Sequence, residues 1–160
     1  MIRPASTHTA ILLIATLLTT ASGVAADKTV GPEKARWEQV RNRAINFLKS
    51  AQDDDGSWTS PQAAGLTALA TTALLESGLK ADDPVVSRSL SFLESLSQKD
   101  GGIYHPKTLH RNYETSIAML ALHAASRSAT PAARKRYASH VAKARKFLKN
   151  LQWDKGEGLE

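Results

Sequence analysis

The sequence predicts an all-α protein that is built from repeated helical units. A short pattern recurs three times, as "FLKSAQDDDGSW" from residue 47, "FLESLSQKDGGIY" from residue 92 and "FLKNLQWDKGEG" from residue 147. Each copy contains Phe-Leu, then glutamine, then glycine, and the first two copies add an aromatic residue. Segments of helical periodicity lead into these copies, and segments almost without charge follow the first two. Such repetition is typical of architectures that stack one helical unit on the next.

The N-terminal segment has the features of an export signal. Arg3 is the only charged residue before the apolar run "AILLIATLL", and that run is shorter than the ~20 residues that a membrane-spanning helix requires. Val24 and Ala26 are small residues at the spacing that a signal peptidase accepts. We expect residues 1–26 to be a signal peptide that is cleaved after Ala26, and residues 27–160 to form a secreted or periplasmic domain. An uncleaved membrane anchor is the alternative.

Three amphipathic helices are predicted, each opened by a proline and closed by one of the Phe-Leu pairs. The opening pairs are Gly31-Pro32, Asp83-Pro84 and Thr130-Pro131, which place a capping residue before a proline at the first helical position. The first and last helices carry charge on one side, and apolar residues line the opposite face of each at helical spacing. They are Trp37, Val40, Ala44, Phe47 and Ala51 in the first helix, and Tyr137, Val141, Ala144, Leu148 and Leu151 in the last.

Two further helices are predicted from segments that are almost free of charge. Residues 62–75 contain no charged side chain, and residues 115–125 contain only His123. A helix that is apolar nearly all round is one surrounded by protein, and Gly78 followed by Leu79 predicts the end of the first one. Each unit therefore consists of an amphipathic outer helix, a turn with glutamine and glycine, and an uncharged inner helix.

The turns resemble the Q-x3-G-x-W motif of the squalene cyclase and protein prenyltransferase superfamily. The motif residues are Gln52, Gly56 and Trp58 in the first copy, Gln98, Gly102 and Tyr104 in the second, and Gln152 in the third. This resemblance covers the chain from Pro32 to Glu160 and implies an αα-toroid, in which the glutamine closes the outer helix and stacks on the aromatic ring. About two and a half helical hairpins are present, so we expect an open arc or a part of a longer protein.

The catalytic residues of that superfamily are not matched by this sequence. Its triterpene cyclases protonate an alkene with an aspartate of a D-x-D-D motif, which Asp53-Asp54-Asp55-Gly56 does not fit. Its prenyltransferases hold zinc with Asp, Cys and His, and this chain has no cysteine. We therefore assign no catalytic residue, no metal ligand and no cofactor. The aspartates are interpreted as turn residues, with a catalytic acid as the alternative.

The best candidate for a ligand site is the segment "IYHPKTLHRNYE", residues 103–114. It precedes an uncharged inner helix, and basic groups near a helix N-terminus suit an anion such as a diphosphate. An exposed polar loop is the alternative, and His105 with His110 lacks a nearby third ligand for a metal ion. The candidate ligand-binding residues are Tyr104, His105, Lys107, His110, Arg111 and Tyr113.

The chain is basic, with a formal net charge of +6, and no acidic residue lies between Glu114 and Asp154. The basic side chains in this interval suit weak contact with an anionic membrane surface or cell-wall polymer, and a solvated outer face is the alternative. They include Arg134, Lys135, Arg136, Lys143, Arg145, Lys146 and Lys149. Nucleic acid is not expected as a partner, because aromatic residues are not interleaved with these charges.

Two classes of function are open from the sequence. In the first, the protein is an exported, noncatalytic repeat module that binds an apolar, isoprenoid-like ligand or another protein on its concave surface. In the second, it is a fragment of a terpene cyclase or prenyltransferase-like enzyme that acts on isoprenoid substrates. We favour the first. We also expect self-association, because the third outer helix has no inner helix after it to cover its apolar face.

Overall fold

A computed structural model describes residues 31–152 of the chain. The predicted signal peptide and the continuation of the third turn copy after Gln152 lie outside this part. Residues 33–152 belong to one compact unit. Within them the protein is all-α, as the sequence predicts, with turns and one isolated bridge between Ser97 and Ile103. The helices are α1 (Lys34–Ser50), α2 (Ala64–Glu76), α3 (Pro84–Ser95), α4 (Arg111–Ser126) and α5 (Pro131–Asn150).

Local capping chemistry sets the starts of α3 and α5, as predicted. The side chain of Asp83 accepts a hydrogen bond from the backbone N–H of Val85 at 3.1 Å, and that of Thr130 accepts one from Ala133 at 3.3 Å. A proline occupies the first turn of both helices, where the N–H that proline lacks would have no partner within the helix.

The start of α1 lies later than the sequence predicts. The helix begins at Lys34, and Glu33 before it is extended, with φ of −52° and ψ of 144°. Neither Gly31 nor Pro32 carries a side-chain oxygen that could accept from the first free N–H groups, and Glu33 makes no such bond. Without a cap, nothing fixes the start of this helix at the proline.

The end of α2 is the predicted stop at Gly78. This glycine has a positive φ of 101°, and its N–H donates to the carbonyl of Leu75 at 3.0 Å. The next N–H, from Leu79, donates to the carbonyl of Leu74 at 3.1 Å. These are the two bonds of a Schellman motif, and they satisfy carbonyls that the helix end leaves free.

The two uncharged helices, α2 and α4, pack side by side, while α3 packs mainly on α2, and α5 packs on α4. Fully buried alanines allow the backbones of α2 and α4 to approach their neighbours closely. They are Ala64 and Ala68 on α2 and Ala118, Ala121 and Ala125 on α4. The largest fully buried side chains are Leu74, Leu90, Leu93, Ile103 and Leu122.

Contacts at both ends show that α2 and α4 run in the same direction. At their starts, the ring of Tyr113 covers Gly65, where an added Cβ would lie 2.6 Å from the ring edge. At their ends, the guanidinium of Arg127 forms an ion pair with Glu76. The two uncharged helices are therefore parallel neighbours.

The apolar face of α1 is largely exposed. Trp37, Val40 and Phe47 are 53%, 52% and 68% exposed, and α1 has no buried residue. The helix instead uses Ile45 and Leu48, which are half-buried against the core. The reason lies in the packing order: α3 packs on α2 and α5 on α4, whereas no inner helix precedes α1 among residues 31–152.

The corresponding face of α5 is largely buried, although the sequence predicts no following inner helix to cover it. Tyr137 and Ala144 are buried, and Val141 and Leu148 are half-buried, whereas Leu151 just past the helix is exposed. This helix has α4 as its preceding inner helix and therefore has a surface to pack on.

The inner helices are not surrounded by protein on all sides, contrary to the expectation from their composition. Leu66 and Leu69 on α2 are 50% and 44% exposed, and Leu120 on α4 is 54% exposed. One side of each inner helix is therefore open in the part of the chain that the structure describes. Absence of charge marks these helices, but it does not ensure that every face is covered.

Candidate functional site

The turns after α1 and α3 share one backbone design. The N–H of Gly56 donates to the carbonyl of Asp53 at 2.9 Å, and the N–H of Gly101 donates to that of Gln98 at 3.0 Å. Both glycines have a positive φ, of 89° and 94°, which residues with a Cβ rarely adopt. The repeat that the sequence indicates is therefore present in the backbone.

Each turn is also tied to the inner helix that follows it. The backbone N–H of Trp58 donates to the hydroxyl of Thr67 at 3.2 Å, and the N–H of Ile103 donates to that of Thr115 at 3.1 Å. Both threonines are fully buried. Sequence reasoning missed them, although a threonine near the start of each uncharged segment was the available signal.

These bonds fix the register between the two turns. In the structure, Gly101 is equivalent to Gly56, and Ile103 is equivalent to Trp58. An alignment of the two turns that starts at their Phe-Leu pairs and has no gap gives the same equivalences. An alignment of Gln98 with Gln52 instead makes Gly102, one residue later, the equivalent of Gly56. The two adjacent glycines permit both alignments in sequence, and the positive φ selects the first.

The first motif glutamine connects its turn to α3. The side-chain amide of Gln52 donates to the carbonyl of Gly56 at 3.1 Å and to that of Val85 at 2.8 Å. Its carbonyl oxygen accepts from the guanidinium of Arg88 at 2.6 Å. Gln52 is therefore a structural residue that joins one unit to the next.

The other two motif glutamines make different contacts. The amide of Gln98 donates to the carbonyls of Leu96 and Tyr104, both at 2.9 Å, so it holds its own turn together. Gln152 is exposed after α5, and its N–H donates to the carbonyl of Lys149. In the described part of the chain, the side-chain amides of Gln52 and Gln98 therefore bind backbone carbonyls.

Both turn glycines rest on the backbone of the next outer helix. A Cβ built on Gly56 would lie 2.6 Å from the carbonyl oxygen of Arg88, and one built on Gly101 would lie 2.9 Å from that of Lys143. Arg88 and Lys143 are each four residues before the phenylalanine of a Phe-Leu pair. The same contact therefore recurs between successive units.

The aspartate triplet has the geometry of a turn. All three side chains are exposed, and a carboxylate oxygen of Asp55 accepts from both the N–H and the hydroxyl of Ser57, at 2.9 and 2.7 Å. The carbonyl of Asp53 accepts the bond that closes the turn. Asp54 projects from the surface. These contacts support the interpretation of the triplet as turn residues.

The segment 103–114 is organised around a buried carboxylate. Glu114 is only 5% exposed, and its oxygens accept from the N–H of His105 at 2.9 Å and the hydroxyl of Thr108 at 2.7 Å. It lies in the first turn of α4, where a negative charge is favourable. Sequence reasoning did not single out Glu114, which fixes the shape of the loop before α4.

Two of the six candidate ligand residues lie together. The guanidinium of Arg111 lies 5.4 Å from the ring centre of Tyr104, within the range of a cation–π contact. The hydroxyl of Tyr104 donates to the carboxylate of Asp100 at 2.5 Å, and this bond, followed by burial, raises the pKa of the phenol. The ring and the hydroxyl of Tyr104 therefore both have partners within the protein.

The other four candidates have separate environments. Tyr113 is 49% exposed and covers Gly65 on α2. His105 accepts a bond from the N–H of Lys107 through Nδ1 at 3.2 Å, and Lys107 is exposed. His110 is also exposed, at the residue before α4. The structure thus places the six candidates along the loop before α4 and in the first turn of α4, with direct contact between Tyr104 and Arg111.

An apolar groove with a volume of about 370 Å³ lies between α4 and α5. Sequence reasoning assigned no ligand to this groove, because its two sides come from different helices. Its apolar lining consists of Leu122 on α4 and Tyr137, Ala138, Val141 and Ala142 on α5. Leu122 and Tyr137 are buried, and the two alanines are exposed.

Basic and polar groups complete the groove. His123, Arg134 and Arg145 also line it, and Arg134 is held by a hydrogen bond from its Nε to the carbonyl of Ser126 at 3.0 Å. Among residues 31–152, no acidic side chain is part of this lining. The groove therefore combines an apolar surface with positive charge.

Tyr137 connects the groove to α3. Burial raises the pKa of its phenol, and the nearby Glu94 adds to the effect. The guanidinium of Arg136 lies 5.2 Å from the ring centre and donates to Glu94 at 2.7 Å. These contacts hold the α5 wall of the groove against α3.

Comparison with known proteins identifies no relative: no family model, curated protein or solved structure matches the chain. Among residues 31–152, the His, Asp and Glu side chains form no group of three that could hold a metal ion. None of the five helices described is both long enough and apolar enough to cross a membrane.

Proposed function

We propose that this protein is a noncatalytic helical-repeat module that binds small apolar ligands with an acidic group in the groove between α4 and α5. The groove itself carries this proposal. Its volume of about 370 Å³ falls in the range of ~300–1,000 Å³ that is common for small-molecule sites. His123, Arg134 and Arg145 beside the apolar lining suit an amphiphile whose head group is an anion.

The arrangement of helices is proposed to be an open arc of the αα-toroid type. The support comes from the parallel neighbours α2 and α4, the repeated turns, and the recurrent packing of each turn on the next outer helix. A toroid-like arc exposes the inner helices on its concave side, and Leu66, Leu69 and Leu120 are the exposed apolar residues of those helices. We further propose that the protein acts outside the cytoplasm, and N-terminal sequencing of exported material is expected to begin at Asp27.

Binding of farnesyl phosphate and of farnesol tests the proposed ligand class. Displacement of anilinonaphthalene sulfonate from the 160-residue chain gives both affinities. Ala138→Trp is expected to abolish displacement by both compounds, because the exposed alanine lies in the groove and the indole would fill it. Arg145→Gln is expected to weaken farnesyl phosphate about tenfold, as the loss of a charge-assisted hydrogen bond does, and to leave farnesol unchanged.

Lys146→Gln is the matched control, because it removes one exposed positive charge next to Arg145 but outside the groove lining. It is expected to bind both compounds as the parent chain does. Unchanged binding in Ala138→Trp would contradict the groove as the site. Equal weakening by the Arg145 and Lys146 variants would show that net charge, and not a placed head-group contact, governs affinity.

A further inference from the structure

The exposed face of α1 is a second surface with a definite chemistry. Trp37, Val40 and Phe47 lie on one side of this helix and are all more than half exposed. Trp37 and Phe47 are ten positions apart in sequence, or about 15 Å along a helix axis. Large aromatic residues at both ends of an exposed stripe are typical of helices that lie in a membrane–water interface.

Basic residues flank this stripe. Arg36 and Arg43 are exposed, lie two turns apart, and are each four residues before an apolar residue of the stripe, Val40 and Phe47. The whole helix carries five basic residues and one acidic residue. An apolar face with positive flanks matches the surface of a bilayer that contains anionic lipids.

We propose that α1 docks this protein on anionic membrane surfaces, with Trp37 and Phe47 in the interface and Arg36 and Arg43 against the lipid head groups. The inference is independent of the ligand groove between α4 and α5. A second copy of the chain is a less suitable occupant by charge. In a contact between two copies of α1, each helix would bring five basic residues and one acidic residue. The most basic of the other described helices, α5, carries seven basic residues and no acidic one, so a contact between α1 and α5 would also bring like charges together.

Sedimentation with vesicles tests this proposal on the 160-residue chain. Binding is expected to vesicles of phosphatidylcholine mixed with phosphatidylglycerol, to decrease with added salt, and to be much weaker to phosphatidylcholine alone. Phe47→Ser is expected to weaken binding about tenfold or more, because the aromatic side chain no longer enters the interface. The double variant Arg36→Gln, Arg43→Gln is expected to weaken it by about fivefold for each charge removed.

Two matched controls separate α1 from the rest of the molecule. Lys135→Gln with Lys146→Gln removes two exposed charges from α5, and Leu120→Ser removes a similarly exposed apolar side chain from α4. Both are expected to bind vesicles as the parent chain does. Equal weakening by the control and α1 variants would overturn the assignment to α1, because it would show that total charge or total apolar surface governs binding.

Tryptophan emission gives a positional readout. The parent emission is expected to shift to shorter wavelength on anionic vesicles, and Trp37→Phe is expected to bind but to lose this shift. Persistence of the full shift in Trp37→Phe would overturn the docking geometry. A dimer that Phe47→Ser converts to a monomer, without vesicle binding by the parent, would assign the face to a second copy and overturn the proposal.

Discussion

Replacement of Gly56 by alanine is expected to be among the most damaging single-methyl changes in this protein. Two costs add at this position. The positive φ of 89° costs a residue with a Cβ ~1–2 kcal/mol, and the methyl group would lie 2.6 Å from the carbonyl oxygen of Arg88, which must move. Overpacking of this kind costs a further ~1–3 kcal/mol, and the lower entropy of the unfolded chain offsets ~0.4–1 kcal/mol. We expect a net loss of about 3 kcal/mol.

Gly78→Ala is the matched control for this change. Gly78 has a similar φ of 101°, but no atom lies within 4 Å of an added Cβ. Only the conformational cost applies, so the expected net loss is about 1 kcal/mol. Urea unfolding followed by far-UV circular dichroism gives both free energies of unfolding. Equal losses in the two variants would refute the close approach between the turn and α3.

Three further outcomes are expected. Trp58→Ala should lower the free energy of unfolding by ~3 kcal/mol in the same assay, because its ring is buried and its N–H donates to the carbonyl of Leu48; an unchanged midpoint would contradict this. Asp54→Asn should change it by less than ~1 kcal/mol, since the side chain is exposed in a turn that suits Asn equally; a larger loss would point to a role beyond the turn. Because the pKa of Tyr104 is raised in the folded protein, the stability of the protein should fall as the pH rises above the ordinary tyrosine value of 10.0. In thermal melts Tyr104→Phe should show a smaller fall, and identical pH profiles of the two proteins would exclude this contribution.

The features that the sequence predicted correctly depend on neighbours in the chain. Asp83 and Thr130 cap helices through N–H groups two or three residues away, and Gly78 ends α2 through carbonyls three and five residues back. These bonds need only the local backbone, so short patterns suffice to predict them. The turn after α1 was predicted for the same reason.

The features that the sequence did not predict depend on which helices become neighbours. The apolar stripe with Trp37 and Phe47 has the periodicity of a buried face, yet burial requires a preceding inner helix. The ligand groove combines Leu122 with Val141, which come from two helices and share no sequence pattern. The role of Glu114 was missed because its partners are backbone and hydroxyl groups of a loop whose shape it helps to create.

The contact of each turn glycine with the next outer helix also bears on how such a chain can grow and diverge. At Gly56 and Gly101 the surfaces that meet are main chain on both sides, so the fit does not depend on matched side chains. A gene segment that encodes one helix, its turn and the next helix can then be duplicated without a matching change in its neighbour. After duplication, the sequences of the two copies can diverge at most positions while the glycine and the backbone that it contacts are retained. That freedom accounts for units that share a turn but few other residues.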